Sequence, residues 1–273
     1  MTAAAPAASR VASIRQRLLD RYAVERLLYR LSESRHRDEF LLKGAMLFAL
    51  WFDQPHRPTR DADFLGFGSP DPQRLADIAR ELCTLPADDG LSFDLGSIRV
   101  EAIREEAKYD GLRMTLAALL GNARCSVQWD IGFGDAVTPA ALEATYPVLL
   151  DEMPAPRLRV YPRETVFAEK LEAIAVLGIA NSRMKDYFDL LALIREGELS
   201  TADLPKAVAA TFDRRGTARP DTVPFGLTAE YSSDASKQNQ WRAFLTKSRL
   251  QAPDLDSTVA EIRNFLYGAK HGE

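Results

Sequence analysis

Residues 40–64 read FLLKGAMLFALWFDQPHRPTRDADF. Phe40-Leu41-Leu42 is a short apolar run ending at Gly44, which predicts a strand that turns into a helix over Met46–Phe52. His56-Arg57-Pro58-Thr59 reads as a loop, because Pro58 biases the residue before it away from helix. From Asp61 to Leu65 polar and apolar residues alternate, as in a half-buried strand, and Gly66, Gly68 and Pro70 then break it. Alternate side chains of a strand share a face. Thr59, Asp61 and Asp63 are therefore expected to point one way, with Ala62 and Phe64 packing behind them. Two carboxylates ~6–7 Å apart along one strand face suit a hard cation that takes oxygen ligands, Mg2+ above all. A D-x-D alone occurs on many surface strands, so its meaning rests on what surrounds it.

Outward from this stretch, a helical pattern runs from Ser9 through Val11, Ile14, Leu18 and Leu19, and a second segment carries Leu27, Leu28 and Leu31. Residues 1–8 are Ala/Pro-rich and are expected to lack structure. After a helix over Pro72–Cys83, strands are predicted at Leu91–Leu95, Ile98–Glu105, Leu112–Leu119 and Ser126–Phe133. Pro154 and Pro156 mark a change of composition. Beyond Pro162 the predicted elements are helices at Glu164–Leu177, Met184–Arg195, Ala202–Phe212, Ser236–Lys247 and Ser257–Tyr267. The fold class is α/β (α+β): a mixed-sheet domain over residues 1–155 with N-terminal helices, and a helical domain over 156–273 expected to complete the active-site cleft.

The 273 residues are 46% hydrophobic and 27% charged, which excludes collagen-like and disordered chains and leaves a globular protein. No apolar run reaches the ~20 residues of a membrane-spanning helix, and the N-terminus has no signal-peptide pattern. Cys83 and Cys125 are too few for a disulfide framework, so a cytoplasmic setting is expected. With only His36, His56 and His271 besides, a zinc site is nearly excluded and oxygen ligands are favoured. The net charge of −4 is unevenly placed. Residues 1–43 carry nine Lys/Arg against five Asp/Glu, and 205–249 carry eight against four, whereas 61–110 carry twelve acids and five bases. Basic flanks around an acidic middle fit a metal centre approached by a polyanion; ordinary solvated helix faces would give the same counts.

A glycine turn after an apolar strand, a helix, and then D-x-D on a strand is the order of parts in polymerase-β-like nucleotidyltransferases. Here the parts are Leu42-Lys43-Gly44-Ala45 and Asp61-Ala62-Asp63. Free N–H groups after Gly44 would face a triphosphate. Downstream, ETVFAEKLEAI at 164–174 and RMKDYFDL at 183–190 narrow the resemblance. KGA, RPTRDADF, the Asp130 strand and these two segments together resemble the AbiEii/AbiGii abortive-infection toxins and their MenT-type mycobacterial relatives.

That resemblance implies the toxin of a toxin–antitoxin pair, a Mg2+-dependent nucleotidyltransferase that moves NMP from an NTP. The acceptor in the MenT-type branch is the 3′ end of tRNA, so translation is blocked. It further implies metal ligation by Asp61, Asp63 and Asp130, and functional roles for Thr59, Lys170 and Asp186, with Asp189 one turn further on as the competing carboxylate. A cognate antitoxin is the implied partner. Ala45 stands where many such enzymes have Ser, so phosphate binding would fall to backbone N–H groups, Lys43, Arg57, Arg60 or Lys170. The alternatives are transfer to a protein acceptor and a catalytically silent nucleotide- or RNA-binding module.

Lys170 lies within the apolar stripe of Val166, Phe167, Leu171, Ile174 and Leu177, where a lysine must be paired or must snorkel to water. Asp186 falls in the first turn of its helix after Ser182, a place the helix dipole alone favours. A Lys170–Asp186 ion pair would connect the two. Arg183 and Lys185 are either solvated or contact acceptor phosphates. Trp129 alternates away from Asp130 and is expected in the core.

Overall fold

A computed structural model describes residues 4–52, 56–59, 61–105 and 109–268, with the backbone alone for 4–10, 104–105 and 109–110. The described chain divides into two compact units. One contains residues up to 134 together with 142–160, and the other contains 135–141 and everything from 161 onward.

The first unit begins with α1 (Ala4–Glu33), β1 (Phe40–Lys43), α2 (Phe48–Trp51), β2 (Ala62–Gly66) and α3 (Pro72–Thr84). It continues with β3 (Leu91–Glu105), β4 (Tyr109–Leu120), β5 (Ala123–Phe133), β6 (Leu142–Thr145) and β7 (Arg157–Val160). The strands form one seven-stranded mixed sheet in the order β3-β4-β5-β2-β1-β7-β6. β1 runs antiparallel to β2 and parallel to β7, and β2 runs parallel to β5. Alternation does what the pattern requires. Phe64 and Trp129 turn to one face, with ring centroids 4.7 Å apart, and Phe40 meets both rings edge-on. Trp129 is fully buried, as expected.

Several boundaries differ from the sequence reading. The N-terminal pattern is one continuous helix, and residues 4–8, expected without structure, carry helical backbone. The predicted helix over Met46–Phe52 is a 3-10 turn at Gly44–Leu47 followed by a single α-turn. The two predicted strands at 91–95 and 98–105 are one strand interrupted by a register shift between Asp94 and Arg99. There Asp94 accepts from the Gly96 N–H at 3.0 Å, and Ser97 Oγ replaces a ladder partner for the Ala117 N–H at 2.9 Å. β6 and β7 were not anticipated. Leu158 and Val160 are buried while Arg157 and Arg159 point outward, so β7 has alternation, but over too few residues to register in sequence.

The second unit holds α4 (Arg163–Leu177), α5 (Met184–Glu196), α6 (Leu204–Arg215), α7 (Ala229–Ser233), α8 (Ala235–Ser248) and α9 (Leu255–Tyr267). Side-chain oxygens of Thr228, Asp234 and Asp254 cap the last three. α4 is buried on almost every side, so its charged residues need partners. Glu164 accepts from the Ser200 N–H at 2.8 Å, and Glu172 accepts from Arg215 at 2.9 Å and Thr217 at 2.6 Å. Residues 135–141 belong here because Thr138 and Thr165 exchange two hydrogen bonds, at 3.0 and 2.7 Å. Among the described residues no helix is long and apolar enough to cross a membrane.

Candidate active site

The first cluster is built on Gly44. β1 ends at Lys43, and Gly44 turns the chain at φ +74°. A Cβ at Gly44 would fall 2.1 Å from Oδ2 of Asp63 and 2.8 Å from its Cβ. Only glycine, tolerant of positive φ and without a side chain, lets the Asp63 carboxylate lie against this turn. Gly44→Ala is therefore expected to cost about 2 kcal/mol or more from the left-handed backbone and the forced shift of Asp63. Denaturant unfolding measures it, and a variant as stable as the parent contradicts the packing described.

Sheet register places the neighbours. Lys43, Asp63 and Asp130 are aligned across β1, β2 and β5, and Arg113 and Glu101 continue the row on β4 and β3. All five project from the face opposite Phe64 and Trp129. Thr59 and Asp61 precede the first residue of β2, so the expected alternation aligns neither of them by strand geometry. The Thr59 hydroxyl instead donates to the Asp61 carbonyl at 3.2 Å. Ala45 is buried behind the turn, Lys43 is buried in β1, and Arg57 is half-buried in the loop before β2. Arg60 lies outside the described residues.

Asp130 was expected to hold metal. Both its oxygens accept from Arg113, Nε to Oδ1 at 2.8 Å and Nη2 to Oδ2 at 2.7 Å. Gln128 Nε2 approaches the same two oxygens at 3.2 and 3.3 Å. The bond to Asp130, with the further negative charges of Asp61 and Glu101, outweighs desolvation and holds the Arg113 guanidinium more firmly protonated than usual. Sequence reasoning missed Arg113, although the signal existed. Gly121-Asn122 is a two-residue hairpin turn between Leu120 and Ala123, and stepping back seven residues along each strand pairs Arg113 with Asp130.

The second cluster lies wholly in the helical unit. Lys170 is buried on α4, and its Nζ stands 3.0 Å from Oδ1 of Asp186 and 2.6 Å from Oδ2 of Asp189 on α5. Both carboxylates are fully buried, and Arg183 Nε donates to the other Asp186 oxygen at 2.5 Å. Arg183, the residue immediately before α5, thus grips Asp186 in the first turn of that helix. The loop holding it is fixed by Asn181, whose Oδ1 accepts from the Arg183 N–H at 2.8 Å. The Asn181 carbonyl accepts from Tyr231 and Lys237 at 3.0 and 2.9 Å.

Burial opposes ionisation of Asp186, but Lys170 and Arg183 outweigh it, and the carboxyl lies below its ordinary value of 3.8. A depressed folded-state value means stability that is complete above pH ~4 and drains as pH falls through the folded value. The acid limb of the unfolding profile should therefore flatten in Asp186→Asn relative to the parent. Unfolding free energies measured between pH 2 and 6 check this; parallel limbs contradict it.

The fold and the first cluster define an α/β protein whose mixed sheet sets a strand acid, Asp63, against a glycine turn. Residues 26–264 match the family described as nucleotidyl transferase AbiEii toxin, type IV toxin–antitoxin system, and the chain belongs to that family. Its fold is similar to that of JHP933 from Helicobacter pylori, with TM-score 0.50, 16% identity and 95% of each chain covered. It is also similar to a second H. pylori structure, provisionally classed as a nucleotidyltransferase, with TM-score 0.51, 16% identity, and 90% of this chain and 91% of that one covered. No match is found among curated proteins.

Proposed function

We propose that this toxin-family nucleotidyltransferase moves NMP from an NTP to an RNA acceptor, the 3′ end of tRNA, with Mg2+ as cofactor, in the cytoplasm. The observation that carries the reading is Asp63 lodged against Gly44 with Asp61 two residues before it, in a chain of this family. The donor chemistry fits the ion. Asp61 and Asp63 offer only oxygen, and Mg2+ is commonly held by one or two carboxylates with substrate phosphates filling the rest. Asp61 and Asp63 are the residues that would hold it; among the described residues no group of three or more His, Cys, Asp or Glu is arranged to hold a metal. Bound there, Mg2+ would neutralise charge on the transferring phosphoryl group.

The chain's own groups do the rest. Backbone N–H groups at Gly44 and Ala45, the Thr59 hydroxyl, Lys43, Arg57, Arg60 and Lys170 bind and orient the triphosphate. Asp186 and Asp189 orient Lys170. The acceptor hydroxyl attacks the α-phosphorus and pyrophosphate leaves, a reaction in which positioning and charge stabilisation supply most of the rate. The basic segments 1–43 and 205–249, and Arg183, are assigned to acceptor phosphates. Family membership implies a cognate antitoxin.

The test incubates the protein with each α-³²P NTP and Mg2+, plus either total tRNA or a cell lysate. Label that migrates with tRNA and is lost after removal of the 3′ end supports the proposal. Label on protein alone replaces the acceptor, and no label anywhere under conditions that retain the fold leaves binding without transfer.

A further inference from the structure

We infer that Arg113 is a phosphate-binding residue of the transfer site and that Asp130 serves as its anchor rather than as a third metal ligand. The inference rests on the nucleotidyltransferase reading above and assigns two residues within it. Three N–H donors already occupy the Asp130 oxygens, two from Arg113 and one from Gln128. Asp130 would have to surrender these bonds to coordinate an ion, and its side chain is only 12% exposed.

The guanidinium is differently placed. Its Nε and Nη2 edge is spent on Asp130, whereas Nη1, on the other side of the fork, has no acceptor among the described residues. The side chain is 36% exposed, so this second edge reaches solvent. Two planar donor edges are what distinguish arginine from lysine: one can be anchored while the other binds an anion bidentately or singly.

Position supplies the second argument. Arg113 and Lys43 stand at either side of Asp63 and Asp130 in one cross-strand row, on the face opposite the aromatic core. Adjacent strands are ~4.8 Å apart, so the arginine arises two strands from Asp63 and the lysine one strand away on the other side. A lone exposed ion pair contributes little to stability, whereas an anchored cation beside paired acids gives an arriving triphosphate a fixed counter-charge at no cost in side-chain ordering. The negative charges of Asp61 and Glu101 near Arg113 also keep it protonated at any pH of interest.

The test separates metal from nucleotide binding. Mn2+ is titrated by loss of its free electron paramagnetic resonance signal, without nucleotide. Non-hydrolysable α,β-methylene analogues of the four NTPs are titrated by calorimetry in Mg2+. Arg113→Gln is expected to raise the analogue Kd by about 10–100-fold, the loss of a charge-assisted hydrogen bond, with Mn2+ affinity within about twofold of the parent. Arg113→Lys, which keeps the charge but loses the fork, should fall between them. Asp130→Asn should weaken the analogue and spare Mn2+, whereas Asp63→Asn should lose Mn2+. If Asp130→Asn loses Mn2+ as Asp63→Asn does, Asp130 is a ligand and the assignment is overturned. If both Arg113 variants bind the analogue as tightly as the parent, the phosphate role is overturned while the nucleotidyltransferase reading stands. A folded parent that binds neither Mn2+ nor any analogue removes that reading and this assignment together.

Discussion

Asp61→Ala is expected to reduce transfer of label from α-³²P NTP by about 10²–10³-fold or more, the scale of losing one preorganised electrostatic group. Stability should change little. Asp61 is half-buried and precedes β2, and the Thr59 hydroxyl bonds its backbone carbonyl, which alanine retains. The side chain contributes negative charge beside Arg113, while Asp63 lies against the Gly44 turn and Asp130 is held by Arg113. Removing Asp61 therefore subtracts an oxygen donor without releasing either neighbour. The comparison that checks this is initial transfer rate beside unfolding free energy for the same preparation. A thousandfold slower variant with parental stability is the expected pair of values; parental rate would take Asp61 out of the chemistry.

How far the sequence carried this site depends on the distance over which each feature is specified. The β1–turn–β2 unit was legible because it is local: alternation fixed which faces Phe64 and Asp63 take, and Gly44 marked the turn between apolar run and helix. Lys170 was legible too, since a cation in an apolar stripe demands a partner, and two acids one helical turn apart were in reach. The sequence could not divide Lys170 between Asp186 and Asp189, because that depends on how α4 packs on α5; the ammonium in fact bonds both. Asp130 shows the opposite case. Its strand was read correctly, yet its partner is set by cross-strand register, which only the Gly121-Asn122 turn encodes. β7 was missed because its alternation spans only four residues and its parallel pairing with β1 joins segments more than a hundred residues apart. Thr59 was misplaced because alternation was extended past the point where β2 begins to pair.

Lys170→Met should produce the largest loss of stability of any single change considered. It leaves Asp186 and Asp189 buried without the ammonium that bonds both, and breaking a buried ion pair from one side costs ~3–5 kcal/mol. Methionine fills similar volume, so the loss is electrostatic rather than a cavity. Arg183 still compensates Asp186 through its 2.5 Å bond, whereas the buried Asp189 carboxylate loses the ammonium that stood 2.6 Å from its Oδ2. Lys170→Met/Asp189→Asn should accordingly recover much of the stability, because it removes that charge while keeping the Arg183–Asp186 pair. Activity then separates two roles for the lysine. A lysine that only ties α4 to α5 gives a double variant restored in both unfolding free energy and transfer rate. A lysine that also binds triphosphate gives one restored in stability but still slowed ~10²-fold or more, the effect of a missing phosphate cation on transfer. Urea unfolding and single-turnover label transfer on the same three proteins decide between them, and the proposed function requires the second result.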